Sequence, residues 1–208
     1  VNSRIHGAVN NDHIFRVLNN NTIINGNNSN STTRNLTIEN TSTTTPQVIR
    51  IASVGTVPVT DVRIENCNLI NGVNTSSAVL VYGNDAAAGY FNRIELKNNS
   101  IQKAYMGVYA LAVVAPGNGS GLLIDGNALN ASGTNAIRYV GVYVQGVDSA
   151  LVSNNIIGNF EATTGEIDRG IWFATATKNS TIINNTITNI ACTNTGAFAP
   201  TGINITTG

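Results

Sequence analysis

The chain has 208 residues, of which 11% are charged, and its 11 Lys and Arg are balanced by 11 Asp and Glu. A formal net charge of zero argues against a nucleic-acid partner and against an anionic membrane surface, both of which want a basic patch. No apolar run approaches the roughly 20 residues of a spanning helix, so no membrane insertion is expected.

Asn alone supplies 33 residues. So much Asn would suit a disordered chain, but 42% of the residues are hydrophobic and Val and Ile alternate with polar neighbours throughout. Alternation of that kind, punctuated by turn formers, predicts many short strands and essentially no α-helix.

In chain order, Asn21 to Gly26 reads first as a strand and a bend. Leu36-Thr37-Ile38-Glu39-Asn40 follows and reads as the first copy of a recurring unit. Only 14 residues separate Gly26 from Asn40, so residues 1–26 are expected to form an irregular first turn. Further copies of the unit are Val62 to Leu69, Ile94 to Ile101, Leu122 to Leu129, Ala150 to Ile157 and Ser180 to Ile187. Each is a short strand, an Asn-bearing bend and a closing apolar residue. The bends fall at 40, 66, 98, 126, 154 and 184, with spacings of 26, 32, 28, 28 and 30 residues. Self-similarity at that period signals a solenoid whose coils bury their apolar faces by stacking.

Each unit carries a second strand. These are Val48 to Ile51, Ala78 to Val81, Gly107 to Ala110, Gly141 to Val144, Gly170 to Phe173 and Gly202 to Ile205. Strand period two puts 108/110, 142/144, 171/173 and 203/205 on the core face. A third, shorter strand per coil is left open. A βαβ fold would need amphipathic connectors, and none shows a 3.6-residue period. A β-sandwich is the weaker alternative, because the same motif recurs in one direction.

The Asn-Asn-x-Ile bend after a short hydrophobic strand resembles the repeat of right-handed parallel β-helix proteins, the pectin-lyase-like superfamily, over roughly residues 14–208. The resemblance implies an all-β, right-handed parallel β-helix of about six coils. It does not imply an activity, because lyases, hydrolases, epimerases, tailspikes and adhesins share the fold. The Asn- and Thr-rich texture also resembles large secreted surface proteins of bacteria. The final strand, Thr201 to Gly208, simply stops. The chain is therefore expected to be one β-helix domain over 1–208, uncapped at its C-terminal end, and a fragment of a longer protein with neighbouring domains.

Two features of the repeat carry physical expectations. Asn tolerates the left-handed conformation of a sharp bend, and its amide can bond to the next coil as a ladder. Gly126 would suit the bend and interrupt the ladder. Outward charges align as Thr37, Arg63, Glu95, Leu123 and as Glu39, Glu65, Lys97, Asp125. They can be read as acid/base pairs over a sugar cleft, or as a ladder of opposite charges on a solvated face; the second reading is favoured.

The second strands also set an outward column of Arg50, Leu80, Tyr109, Tyr143, Trp172 and Asn204. Aromatic faces ~5 Å apart would form a platform for sugar rings, unless a loop covers them. Near it lie Arg138, Tyr139, Glu166, Asp168 and Arg169, the densest polar group in the chain. Tyr109, Tyr143, Trp172, Arg138, Glu166, Asp168 and Arg169 are therefore the candidate carbohydrate-binding residues.

Catalytic residues remain unassigned. Polygalacturonase-like motifs are missing, as is the cluster of adjacent-coil Asp that would hold the calcium of the lyases resembled. Hence no cofactor is expected, although calcium stays conceivable. Cys67, Cys192, His6 and His13 are too few and too scattered for a metal site, and both cysteines are read as free thiols. Thr41, Thr43, Thr44 and Thr45 do not recur at the repeat period, against an ice-binding face. The expected function is a secreted or cell-surface, non-catalytic module of adhesive, structural or glycan-binding type. The alternative is part of a lyase or hydrolase acting on acidic plant or algal polysaccharide.

Overall fold

The computed structural model describes residues 2–28 and 32–206. They form a parallel β-solenoid of about six turns, with three sheets running the length of the molecule. Sheet A holds the strands Ser3–Gly7, Leu36–Asn40, Cys67–Ile70, Ser100–Gln102, Ala128–Leu129, Ile156–Gly158 and Thr186–Thr188. Sheet B holds His13–Val17, Gln47–Ser53, Val79–Gly83, Met106–Leu111, Val140–Gln145, Arg169–Phe173 and Thr201–Ile205. Sheet C holds Thr22–Asn25, Val59–Glu65, Phe91–Lys97, Leu123–Asp125, Leu151–Ser153 and Thr181–Ile183. Among the described residues the only helical piece is a single 3₁₀ turn at Gly133–Asn135.

The core is built of like residues stacked on like. In sheet C the inward column is Ile24, Ile64, Leu96, Ile124, Val152 and Ile182. In sheet B the inward columns include Val108, Val142, Ile171, Ile203 and Ala110, Val144, Phe173, Ile205. Those at 108, 110, 142, 144 and 171 are fully buried, and Phe173 nearly so. Ile203 and Ile205 continue the columns into the last described strand and are 49% and 71% exposed. The Gly positions at 107, 141 and 170 have a packing cause. A Cβ on Gly107 would meet the Gly141 carbonyl oxygen at 2.8 Å, and one on Gly141 the Gly170 oxygen at 2.6 Å.

The third strand left open by the sequence exists, as sheet A. Its signal was the apolar residue after each bend, such as Leu69, Ile101 and Ile157, all fully buried. That sheet also corrects the alignment of the first copies. Leu36–Asn40 pairs with Cys67–Ile70 and not with Val59–Glu65, so Asn40 is not a bend residue. The bend of the first turn is at Gly26, because Asn25 lies opposite Glu65. Residues 27–35 are an insertion that stretched the period and hid the match. The first turn is accordingly not irregular: all three of its strands pair in parallel with the next turn.

The Asn ladder is also displaced from its expected position by one residue. Asn66, Asn98, Gly126, Asn154 and Asn184 do take the left-handed conformation, with φ between 48° and 65°. The continuous ladder, however, runs through the residues after them: Asn99, Asn127, Asn155 and Asn185. The Asn99 amide group donates to the Ile64 carbonyl at 2.9 Å and to Asn127 Oδ1 at 3.1 Å. The Asn99 backbone N–H donates to the same Asn127 oxygen at 2.9 Å. Asn127 and Asn155 repeat the pattern in the following turns. Gly126 leaves this ladder intact and interrupts only the shorter run in the bend column itself, where the Asn98 amide group donates to Asn66 Oδ1 at 2.7 Å and that of Asn154 turns to Asp125 instead. Cys67 holds the ladder position one turn earlier, where its N–H donates to Asn99 Oδ1 at 3.0 Å. Burial pushes the Cys67 thiol up to about 12, and both Cys67 and Cys192 are free.

Asn127→Ala would orphan the Asn99 backbone N–H and one N–H of its amide group, and would leave the Leu96 carbonyl with its sheet bond alone. With each unsatisfied buried group costing roughly 1–3 kcal/mol, the variant should lose about 3 kcal/mol or more in chemical denaturation. Asn154→Gly, in the exposed bend beside it, should stay within about 1 kcal/mol, since Gly takes the left-handed conformation freely.

Candidate functional site

The outward column of sheet B has the expected register. Arg50, Leu80, Tyr109, Tyr143, Trp172 and Asn204 lie opposite one another in successive strands. Tyr109, Tyr143 and Trp172 are half-buried. Leu80 is nearly closed off, at 7% exposure.

The rings do not make a flat three-ring platform. Tyr109 and Tyr143 stack with centroids 5.1 Å apart and planes 13° from parallel. Trp172 is then turned edge-to-face, 5.0 Å from Tyr143 at 87°. At the other end Tyr82 meets Tyr109 edgewise at 6.3 Å. A parallel pair covers one face of each ring, so the strip offers ring edges and hydroxyls in place of a broad face. The reason for the turn at Trp172 is local. The Arg169 guanidinium lies 4.0 Å from the Trp172 ring centre, and Tyr139 closes on the same ring from a second file.

That second file was missed from the sequence. Tyr105 and Tyr139 stack at 4.8 Å and 20°. Its signal was a repeated pentapeptide, Tyr105-Met-Gly-Val-Tyr109 and Tyr139-Val-Gly-Val-Tyr143, which supplies both files. The corresponding stretch of the next turn is Asp168-Arg-Gly-Ile-Trp172, because Met106, Val140 and Arg169 share one register position. Asp168 thus takes the place of a third Tyr. Burial raises the hydroxyls of Tyr105, Tyr109 and Tyr143 above their ordinary range, so they remain protonated donors through neutral pH.

The candidate charged group is brought together beside these rings. Arg138 and Glu166 form a two-pronged pair, with Nε–Oε2 at 3.1 Å and Nη2–Oε1 at 2.7 Å. Arg169 donates to the Tyr139 hydroxyl and to the Ile167 carbonyl, both at 2.9 Å. Asp168 is 1% exposed, and neither of its carboxylate oxygens has a hydrogen-bond partner. Burial, then the nearby Glu166 and Glu161 charges, push its carboxyl up to about 7, against the pull of Arg138 and Arg169. Glu161 is the opposite case. Burial works to raise it, but hydrogen bonds from the hydroxyls and N–H groups of Thr163 and Thr164 hold it down to about 2.

Sheet C carries the charged columns. Arg63 lies opposite Glu95, as the repeat implied, with Nε–Oε2 at 2.7 Å, and Glu65 lies opposite Lys97. Thr37 and Glu39 drop out of these columns, since they belong to sheet A; Glu39 pairs there with Arg4. A feature unseen in the sequence frames this sheet. Asn21, Asp61, Arg93, Gly121, Ser149 and Asn179 form a second left-handed column, with φ from 48° to 75°. Each four-residue run of sheet C thus sits between two bends. A groove of about 550 Å³ opens on that face, floored by Ile23, Leu123 and Leu151 and flanked by Arg63–Glu95 and Arg93–Asp61. It lies on a different sheet from the aromatic strip.

Among the described residues no three of His, Cys, Asp and Glu converge as a metal site, and no helix is long and apolar enough to cross a membrane. The architecture defines the class of this chain as a parallel β-solenoid with aromatic files on one sheet and ion-pair ladders on another. Compared with protein-family models, with curated proteins and with solved structures, the chain matches none.

Phe173 points inward at 5% exposure, and its neighbour Trp172 is half-buried against Tyr143, Tyr139 and Arg169. Phe173→Ala should lose about 3–5 kcal/mol by opening a cavity. Trp172→Ala should lose about 1–2 kcal/mol, the worth of its ring and cation contacts. Melting curves of the two variants read the order directly.

Proposed function

We propose that this chain is a secreted or cell-surface β-solenoid of the right-handed, pectin-lyase-like kind. In this reading it works as a structural and adhesive module that holds glycans along sheet B and does not cleave them. One observation carries it: four arginine–carboxylate pairs are committed between neighbouring turns. Arg4–Glu39, Arg63–Glu95, Arg93–Asp61 and Arg138–Glu166 each bridge adjacent turns of the solenoid. A carboxylate fixed to an arginine one turn away is a poor proton donor, because the pair favours its ionised form. What looks like acid/base chemistry in the sequence is turn-to-turn attachment.

The glycan part of the reading rests on the aromatic files. Tyr109, Tyr143 and Trp172 are only half-buried, the stretches that precede their strands add Tyr105, Tyr139 and Arg138, and Arg169 opens the last of those strands. Ring edges, phenolic hydroxyls and guanidinium groups suit the hydroxyls and carboxylates of a sugar chain lying along the axis.

The test is to present the protein with acidic and neutral polysaccharides while following both retention and the release of reducing or unsaturated ends. Retention without new ends is expected. The double variant Tyr109→Ala/Tyr143→Ala should weaken retention by about tenfold, the equivalent of one aromatic contact. New chain ends would replace this reading with a lyase or hydrolase acting on acidic polysaccharide. Failure of every glycan to be retained would leave the structural role alone.

A further inference from the structure

The two uncommitted groups in the polar cluster belong to adjacent residues. Asp168 is buried with both carboxylate oxygens unpartnered, and Arg169 has a buried, unpartnered Nε. Its Nη1 donates to both the Tyr139 hydroxyl and the Ile167 carbonyl, and its guanidinium lies on the Trp172 ring. Arg138, the other cation nearby, is already engaged with both oxygens of Glu166. A negative charge appearing on Asp168 therefore has one cation free to answer it.

We propose that Asp168 and Arg169 form a proton-operated latch over Trp172: the protonated carboxyl leaves the guanidinium on the indole, and the ionised carboxylate draws it off, uncovering the ring. Register places the latch. Asp168 stands where Tyr105 and Tyr139 stand in the two preceding turns, at the end of their stack and next to the strand that presents Trp172. A buried carboxylate without a donor is costly, so the ionised state must recruit one.

The charges around Asp168 set the poise. Glu166 and Glu161, from its own connecting segment, disfavour ionisation; Arg138, from the turn before, and Arg169 favour it. Tyr105 and Tyr139 face it from the stacked file, and Tyr105 is itself raised in part by Asp168. The segment 190–200 of the following turn packs against the same connector and carries no charged side chain. Its one titratable group, Cys192, has its thiol against the Thr164 carbonyl. With burial dominant, the carboxyl titrates at about 7. The folded state then keeps its proton over the interval from the ordinary carboxylate range to about 7, where the unfolded chain has lost it. The sign is that stability falls as pH rises through that interval and levels off above it.

Trp172 is the single tryptophan of the chain, so its emission reports the latch without labelling. The experiment follows tryptophan emission of the intact chain between pH 4.5 and 9. The expected result is one transition near pH 7, shifting emission to the red on the alkaline side as the ring becomes wetter. Asp168→Asn, which mimics the protonated side chain, should abolish the transition and hold the acid-form spectrum throughout. Arg169→Gln should also abolish it, but with the red-shifted spectrum at every pH. It serves as the independent check if Asp168→Asn fails to fold. A transition that persists in both variants, or no transition in the parent, overturns the proposal. So does carbon NMR showing Asp168 ionised at pH 5. None of these outcomes depends on whether the strip binds a glycan.

Discussion

A buried bend with no water must find partners for its own peptide groups, and in this solenoid the following asparagine supplies them. Each of Asn99, Asn127 and Asn155 donates back to a carbonyl one turn earlier and forward to the next amide, while its oxygen collects donors from the turn before. A buried Asn offers both donor and acceptor in one planar group, which no apolar residue can do. That constraint fixes the phase of every turn. With the bend phased, the left-handed residue before it turns the chain sharply, sheet C and sheet A come to lie on either side, and their inward columns stack Ile, Leu and Val on their counterparts. The core is then a consequence of axial register more than of a particular jigsaw of shapes.

Much of this was legible in the sequence, and the reasons for the rest are specific. Period two along Gly107 to Ala110 and Gly141 to Val144 revealed sheet B and its outward aromatic column, because alternation in a strand maps directly onto faces. Arg63 and Glu95 could be paired for the same reason. The first turns could not be phased, because residues 27–35 break the period, and Leu36-Thr37-Ile38-Glu39-Asn40 imitates a bend strand while lying in sheet A. The choice between Asn98 and Asn99 as ladder residue was equally hidden. Both are Asn at 98/99, 154/155 and 184/185, while Gly126 before Asn127 points to the second column and Asn66 before Cys67 points to the first.

The candidate site shows where reading by register stops. The column of Tyr109, Tyr143 and Trp172 was correctly aligned, yet its geometry depends on ring torsions that register does not set. Arg169 on the indole and Tyr139 beside it turn Trp172 edgewise to the tyrosines. Likewise the proximity of Arg138, Glu166, Asp168 and Arg169 in sequence suggested a polar cluster, but not its division of labour. Arg138 and Glu166 satisfy each other, Glu161 is held by its own threonines, and Asp168 is left alone in the interior. Two carboxyl groups of one segment, Glu161 and Asp168, thus end in opposite protonation regimes through contacts a few residues long.

The direction of the polar links has a mechanical consequence. The amide ladder, the four arginine–carboxylate pairs and the tyrosine stacks all connect one turn to the next. A tensile load applied between the ends of the chain would therefore meet these links a turn at a time and not all together. Such a body yields by unravelling from an end. Each detached turn of about 30 residues pays out roughly 100 Å of slack, while the turns behind it stay folded and keep their side-chain columns in place.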